Sequence, residues 1–167
     1  MASAADQTRA DIVAMLPRLR RFALALTGQM ADADDIVQIA VERALMRLDQ
    51  FQPGTKLDAW MLSIVRNAWI DEARARTRRS RVFAPAELGE RVGGGGEAPM
   101  QARLDAQDVW SAMTSLPQEQ REAVALVCVE GLAYREAADA LGVPIGTLTS
   151  RLARGREALM QMLGEAP

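Results

Sequence analysis

At 167 residues the chain can hold one medium domain or two small ones. Apolar residues make up 49% and charged residues 25%, which excludes a disordered chain, and the 4% of aromatics with abundant Ala, Leu and Met favours helix over strand. The net charge of −2 excludes a global basic excess, and the absence of histidine removes the usual general base and zinc ligand, so any nucleic-acid signal must be local.

In chain order, residues 1–9 lack an apolar core followed by a small-residue cleavage site. Ile12, Met15, Leu16, Leu19, Phe22, Ala23 and Leu26 then recur at helical spacing, with Thr27-Gly28 as the stop. Asp32 is expected to cap the next helix, whose stripe is Val37, Val41, Ala44, Leu45 and Leu48. Gln50-Phe51-Gln52-Pro53-Gly54 reads as a loop. Thr55-Lys56-Leu57-Asp58 resembles a capping box opening a third helix on Leu57, Met61, Ile64, Val65 and Ala68. Three such helices can close one small core.

A break runs over residues 82–101, with Pro85, Pro99 and four consecutive glycines at 93–96. Such a run cannot pack and reads as a flexible linker. Four helical patterns follow. Leu104, Val109, Ala112, Met113 and Leu116 form the first, ended near Pro117. Ala123, Leu126, Val127 and Glu130 belong to the second, stopped by Gly131. The third covers Tyr134 to Leu141, and the fourth carries Ile145, Leu148, Leu152, Gly155, Leu159 and Met162 on one face. The lone cysteine, Cys128, lies in the apolar run 124–129 and is expected to be buried and inert. No apolar stretch is long enough to span a membrane, so a cytoplasmic protein is expected. Neither a catalytic constellation nor a metal or cofactor motif is present, and no enzyme is expected.

Two local signals point to nucleic acid. Ala138, Gly142 and Leu148 have helix-turn-helix spacing: a small residue for a close helix crossing, a glycine for the turn, and an apolar plug. With the apolar face of the last helix inward, Thr147, Ser150, Arg151 and Arg154 lie on its outer side, where they can reach phosphates and base edges. The second signal is charge. Residues 51–81 hold seven basic side chains against three acidic ones. Asn67, Asp71, Arg74 and Arg78 share one face, and Trp60 and Trp69 sit among them, a combination suited to stacking bases and tracking a backbone. A solvated helix end and core filling are the plainer explanations for the arginines and the tryptophans.

Asp34-Asp35-Ile36-Val37-Gln38 with Arg43-Ala44-Leu45 resembles the second helical segment of the N-terminal domain of extracytoplasmic-function sigma factors. Phe51-Gln52-Pro53-Gly54-Thr55 and Ala59-Trp60-Met61-Leu62-Ser63-Ile64-Val65-Arg66-Asn67 resemble the loop and third helix of that domain. Leu116-Pro117, Arg121-Glu122-Ala123, Glu130-Gly131-Leu132-Ala133-Tyr134-Arg135-Glu136-Ala137-Ala138 and Gly146-Thr147-Leu148-Thr149-Ser150-Arg151-Leu152 resemble its C-terminal domain. The loop is similar to that of the alphaproteobacterial general-stress subgroup.

The resemblance implies an all-α fold of two small helical domains, with three helices in residues 8–81 and a four-helix helix-turn-helix domain in residues 104–163, joined by a flexible linker over 82–103. It implies core RNA polymerase, promoter DNA and an anti-sigma factor as partners. Asp34, Asp35, Gln38 and Glu42 would dock on polymerase, the last three sharing one exposed face. Gln50, Phe51, Gln52, Lys56, Trp60, Arg66, Asn67, Arg74 and Arg78 would hold a flipped base and the melted strand of the −10 element. Arg135, Thr147, Thr149, Ser150, Arg151 and Arg154 would read the −35 element as duplex. Two departures stand out: Thr149 occupies a position that is usually basic, and residues 111–167 hold five basic against seven acidic side chains. The acidic balance raises an alternative, a sigma-like decoy that sequesters an anti-sigma factor without initiating transcription.

Overall fold

The computed structural model describes residues 1–82 and 100–164, with side chains described from residue 105 in the second stretch. The glycine run at 93–96 and most of the expected linker lie outside the described residues. All regular structure in the described residues is helical: α1 (Ala4–Thr27), α2 (Met30–Met46), a 3-10 turn (Leu48–Gln50), α3 (Leu57–Val82), α4 (Met100–Ser115), α5 (Gln118–Val124), α6 (Tyr134–Leu141) and α7 (Ile145–Met162). A π-turn (Ala125–Val129) extends α5, where the Glu130 amide donates to the Ala125 carbonyl at 3.0 Å.

α1 starts earlier than its apolar stripe, because Ser3 and Asp6 form a reciprocal capping box. It stops at Gly28, whose φ of +75° is readily adopted only by glycine. α1, α2 and α3 pack on one another around Leu19, Phe22, Leu26, Ala40, Met61, Leu62 and Val65. A second group forms where α5 and α6 pack on α7, burying Ala123, Leu126, Ala138, Leu148 and Leu152. The two groups touch: α1 packs on α4 and the π-turn, and α3 packs on α6.

Several local expectations are corrected. Gln29, not Asp32, occupies the N-cap position of α2, and the Asp32 carboxylate instead takes both terminal nitrogens of Arg76 at 2.7 and 3.2 Å. Thr55 does not cap α3, since its hydroxyl donates to the Gln52 carbonyl at 2.7 Å and so closes the preceding turn. α4 already begins at Met100, ahead of the expected Leu104. Leu45, Val109, Ile145 and Met162 are exposed, being stripe residues at the margins of faces that only their central residues bury. Cys128 is exposed, not buried. The wider turn of the π segment aims Ala125 and Leu126 inward and leaves Cys128 outside.

α7 packs closely on α5 at Gly155. A Cβ there would lie 2.7 Å from Val124 Cγ2 and 3.3 Å from the Gln120 carbonyl oxygen. Gly155→Ala is therefore expected to cost about 1–3 kcal/mol through overpacking. Gly146→Ala, whose Cβ would meet nothing within 4 Å, is expected to hold or gain stability. Thermal melting of the two variants checks the contrast, and equal melting temperatures would contradict the packing.

Candidate nucleic-acid interface

The loop between α2 and α3 is built on an aromatic pair. Phe51 lies 5.1 Å from Trp60, ring centroid to centroid, at an interplanar angle of 44°, and both are half-buried. Gly54, at φ +94°, turns the chain back towards α3. Gln50, Phe51, Gln52, Thr55, Lys56, Ala59, Trp60 and Ser63 line one wall of a cleft of about 550 Å³, and Glu136, Asp139 and Ala140 of α6 line the other. The Lys56 ammonium donates to the Glu136 carboxylate across it, and this hydrogen bond raises the Lys56 pKa above its ordinary value. Aromatic faces with a cation at the rim can stack a base and attract its phosphate.

α3 carries the charge. Asn67, Asp71, Arg74 and Arg78 are all exposed, as their spacing implies. Several cations of this helix are already engaged: Arg76 with Asp32, Arg79 with Glu72 at 2.7 Å, and Arg66 with Glu122 at 3.2 Å. Asp71 is likewise taken by Arg43 at 2.8 Å. Arg74 and Arg78 make no ion pair among the described residues, and they flank Thr77 and Gln118 in a shallow second cleft. Two uncompensated arginines one turn apart suit a phosphate backbone.

On the second group, α6, Gly142 and α7 form a helix-turn-helix. Gly142 has φ +66°, and the Val143 amide donates to the Ala138 carbonyl at 3.0 Å to close the turn. Leu148 is completely buried, as the spacing requires. Ser150 and Arg154 are exposed and Thr147 is half-buried, while exposed Thr149 donates its hydroxyl back to the Ile145 carbonyl at 2.8 Å. Arg151 is half-buried and lies 3.4 Å from Glu119, and Arg135 is exposed near the start of α6. α7 thus presents hydroxyls and guanidinium groups along one outer face.

On α2, Asp35, Gln38 and Glu42 are exposed together, with Gln38 Nε2 donating to Glu42 Oε1 at 3.3 Å. Asp34 stands apart, turned towards α1 to accept from Arg20 Nε at 2.7 Å.

The sequence reading missed a polar seam between the two helix groups. Glu130, whose side chain is fully buried, accepts from Arg18 Nε at 2.6 Å, and Arg18 also donates to Asp58 at 3.1 Å. Arg121 lies over Trp69, 5.4 Å from the ring centroid, and donates to the Leu26 carbonyl at 2.7 Å. Burial pushes the Arg121 pKa down. Trp69 therefore sits in this seam, apart from the aromatic pair at the loop. A carboxylate, Glu130, in register with the apolar stripe of its helix was the available signal.

Residues 12–79 match the family Sigma-70 region 2, and residues 106–159 match Sigma-70, region 4. The chain is 39% identical over 158 residues to the ECF RNA polymerase sigma factor EcfG of Rhodopseudomonas palustris, covering 95% of this chain and 86% of that protein. It is 28% identical over 166 residues to the ECF RNA polymerase sigma factor SigW of Bacillus subtilis, covering 92% and 88%. Among solved structures, the sigma factor RpoE in complex with the anti-sigma factor NepR from Bartonella quintana matches with a TM-score of 0.79 at 30% identity, over 96% of this chain and 99% of that chain. With its helix-turn-helix, its aromatic loop and its matches in chain order, this chain belongs to the extracytoplasmic-function RNA polymerase sigma factors, a family of non-enzymatic transcription initiation factors.

Proposed function

We propose that the chain directs core RNA polymerase to specific promoters through three separate surfaces and helps to melt them. The observation that carries this reading is the pairing, in one chain, of a helix-turn-helix with an aromatic-lined loop flanked by uncompensated arginines. Duplex readout belongs to α7, with Thr147, Ser150 and Arg151 at base edges near its N-terminus and Arg154 over the backbone; Thr149 and Arg135 flank this surface. The −10 strand belongs to Phe51, Trp60 and Lys56 in the cleft, with Gln50 and Gln52 at its wall and Asn67, Arg74 and Arg78 along the strand. Flipping a base costs a few kcal/mol, and stacking returns about 1–3 kcal/mol per base, so the aromatic pair and the arginines must act together. The polymerase surface belongs to Asp35, Gln38 and Glu42, and Asp34 supports it through Arg20. Two domains, bounded as the sequence suggests, would let these surfaces separate along the promoter.

The resemblance of the loop over Phe51–Thr55 to the alphaproteobacterial general-stress subgroup supports a role in general stress, and the likeness to a sigma factor solved with its anti-sigma factor supports control by an anti-sigma protein that hides these surfaces. The site of action is then the cytoplasm, with polymerase. Run-off transcription with core polymerase on a small promoter library tests the whole reading: specific start sites are expected. Their absence, alongside tight anti-sigma binding, would favour the decoy.

Asp35→Arg with Gln38→Ala should leave the melting curve intact, since both side chains are exposed, and weaken core-polymerase binding about tenfold in a titration. Unchanged affinity would remove this face from the docking surface. On α7, Arg151→Ala should relax −35 sequence preference by about 1–3 kcal/mol. Arg154→Ala should weaken all promoters alike and reduce the salt slope by about one. Transcription across −35 variants at several salt concentrations separates the two, and parental behaviour in both would exclude DNA reading by α7.

A further inference from the structure

The two arginines on the outer face of α7 are held differently. Arg154 is exposed and makes no ion pair among the described residues. Arg151, one turn earlier, is half-buried, and its Nη2 lies 3.4 Å from Oε1 of Glu119 on α5. Thr149, between them and the start of the helix, returns its hydroxyl to the Ile145 carbonyl of α7 itself. Arg151 is thus tied to a neighbouring helix, and Arg154 is not.

The position of Glu119 follows from how α5 meets α7. Glu119 stands in the first turn of α5, where the helix dipole favours a carboxylate. The next residue, Gln120, carries that turn onto α7: its carbonyl oxygen and Cβ would lie 3.3 and 3.4 Å from a Cβ at Gly155, one turn beyond Arg151. Helix packing therefore sets the carboxylate beside the guanidinium, whatever the pair itself contributes. The Glu119 side chain is 66% exposed and that of Arg151 23%, and a pair so open to water adds little to folding. Its effect falls on direction. An arginine side chain is long and rotates freely, whereas a guanine edge must be met by two N–H groups in one plane. A guanidinium carries donors enough to face Glu119 and still meet that edge.

We propose that Glu119 is a positioning residue for promoter discrimination: from α5 it braces the Arg151 guanidinium, so that Arg151 meets the −35 element in one orientation. The proposal rests on the assignment of Arg151 to a base edge. A carboxylate this near the groove also repels the DNA phosphates, so Glu119 exchanges affinity for selectivity. Released from it, Arg151 can swing to other bases or to a phosphate of any promoter. One of the seven acidic side chains of residues 111–167 thereby gains a role compatible with DNA reading.

The test uses the holoenzyme formed with core polymerase, on duplex promoter fragments that differ by single base pairs in the −35 element. Binding is titrated for the parent, Glu119→Gln, Arg151→Ala and the double variant. The position read by Arg151 is the one that Arg151→Ala relaxes. There, Glu119→Gln is expected to lower the affinity ratio between the preferred base pair and its substitutes about two- to fivefold, the range that an exposed ion pair carries. Ratios elsewhere should stay parental, and affinity for the preferred promoter should hold or rise. In the Arg151→Ala background the same substitution should change no ratio. The melting curve should shift little, since Glu119 is exposed. Parental ratios throughout in Glu119→Gln, or a uniform weakening at every position, overturns the proposal. If Arg151→Ala itself leaves every ratio parental, the assignment of Arg151 falls and the brace with it; if Arg151→Ala relaxes one position and Glu119→Gln does not, only the brace is lost.

Discussion

The arrangement of the two helix groups turns on one buried carboxylate. Glu130 has no exposed side-chain surface, and an unpaired charge there would be prohibitive. Arg18 neutralises it, and the same guanidinium reaches Asp58 at the start of α3. One side chain of α1 thus joins the first turn of α3 to the end of the π-turn. The wider π-turn makes this geometry possible, because it delivers Glu130 to the inner side at the point where the helix ends. Arg121 completes the junction by donating to the Leu26 carbonyl near the C-terminus of α1, where the helix dipole favours a cation, and to the Thr114 and Leu116 carbonyls at the end of α4. Removing one partner of such a pair leaves a stranded buried charge, so the seam fails as a unit.

This constraint sorts the arginines of α3 by role. Arg66 and Arg76 are turned to carboxylates on other elements and act as struts, whereas Arg74 and Arg78 keep their charge for solvent or for a ligand. A basic count alone cannot make that distinction. Net positive charge in a segment becomes a binding surface only after its internal pairs are subtracted, and here the remainder lies on the face away from the core. The C-terminal group shows the same subtraction: Glu119 sits beside Arg151, leaving Arg154 the freer of these two guanidinium groups on α7.

Much of this was legible in the sequence, because it rests on periodicity and spacing. The helices, the glycine stop of α1, the helix-turn-helix turn at Gly142 and the exposed row on α3 follow from local rules that tertiary packing did not overturn. The aromatic loop was legible as a resemblance, and its pairing of Phe51 with Trp60 needed coordinates. What escaped is what depends on two distant segments meeting. Asp32 looked like a cap because no local clue records that Arg76 claims it. Cys128 looked buried because a run of apolar residues does not announce a change from α to π winding. Trp69 was equally suited to a base or to a neighbour, and only the approach of Arg121 decides between them.

Gly155 lies on the side of α7 away from the residues proposed to read DNA, yet it governs how closely α7 can be held. With no side chain there, α7 sinks against α5 until Val124 and the Gln120 carbonyl meet its backbone. That depth fixes the rotational phase of the helix, and with it the azimuth at which Thr147, Ser150, Arg151 and Arg154 leave the surface. A bulkier residue would turn or lift the rod, and those four side chains would be displaced in concert. On the reading proposed above, fidelity at the −35 element would depend on a position on the hidden side of the helix, where the packing has room for nothing larger than hydrogen.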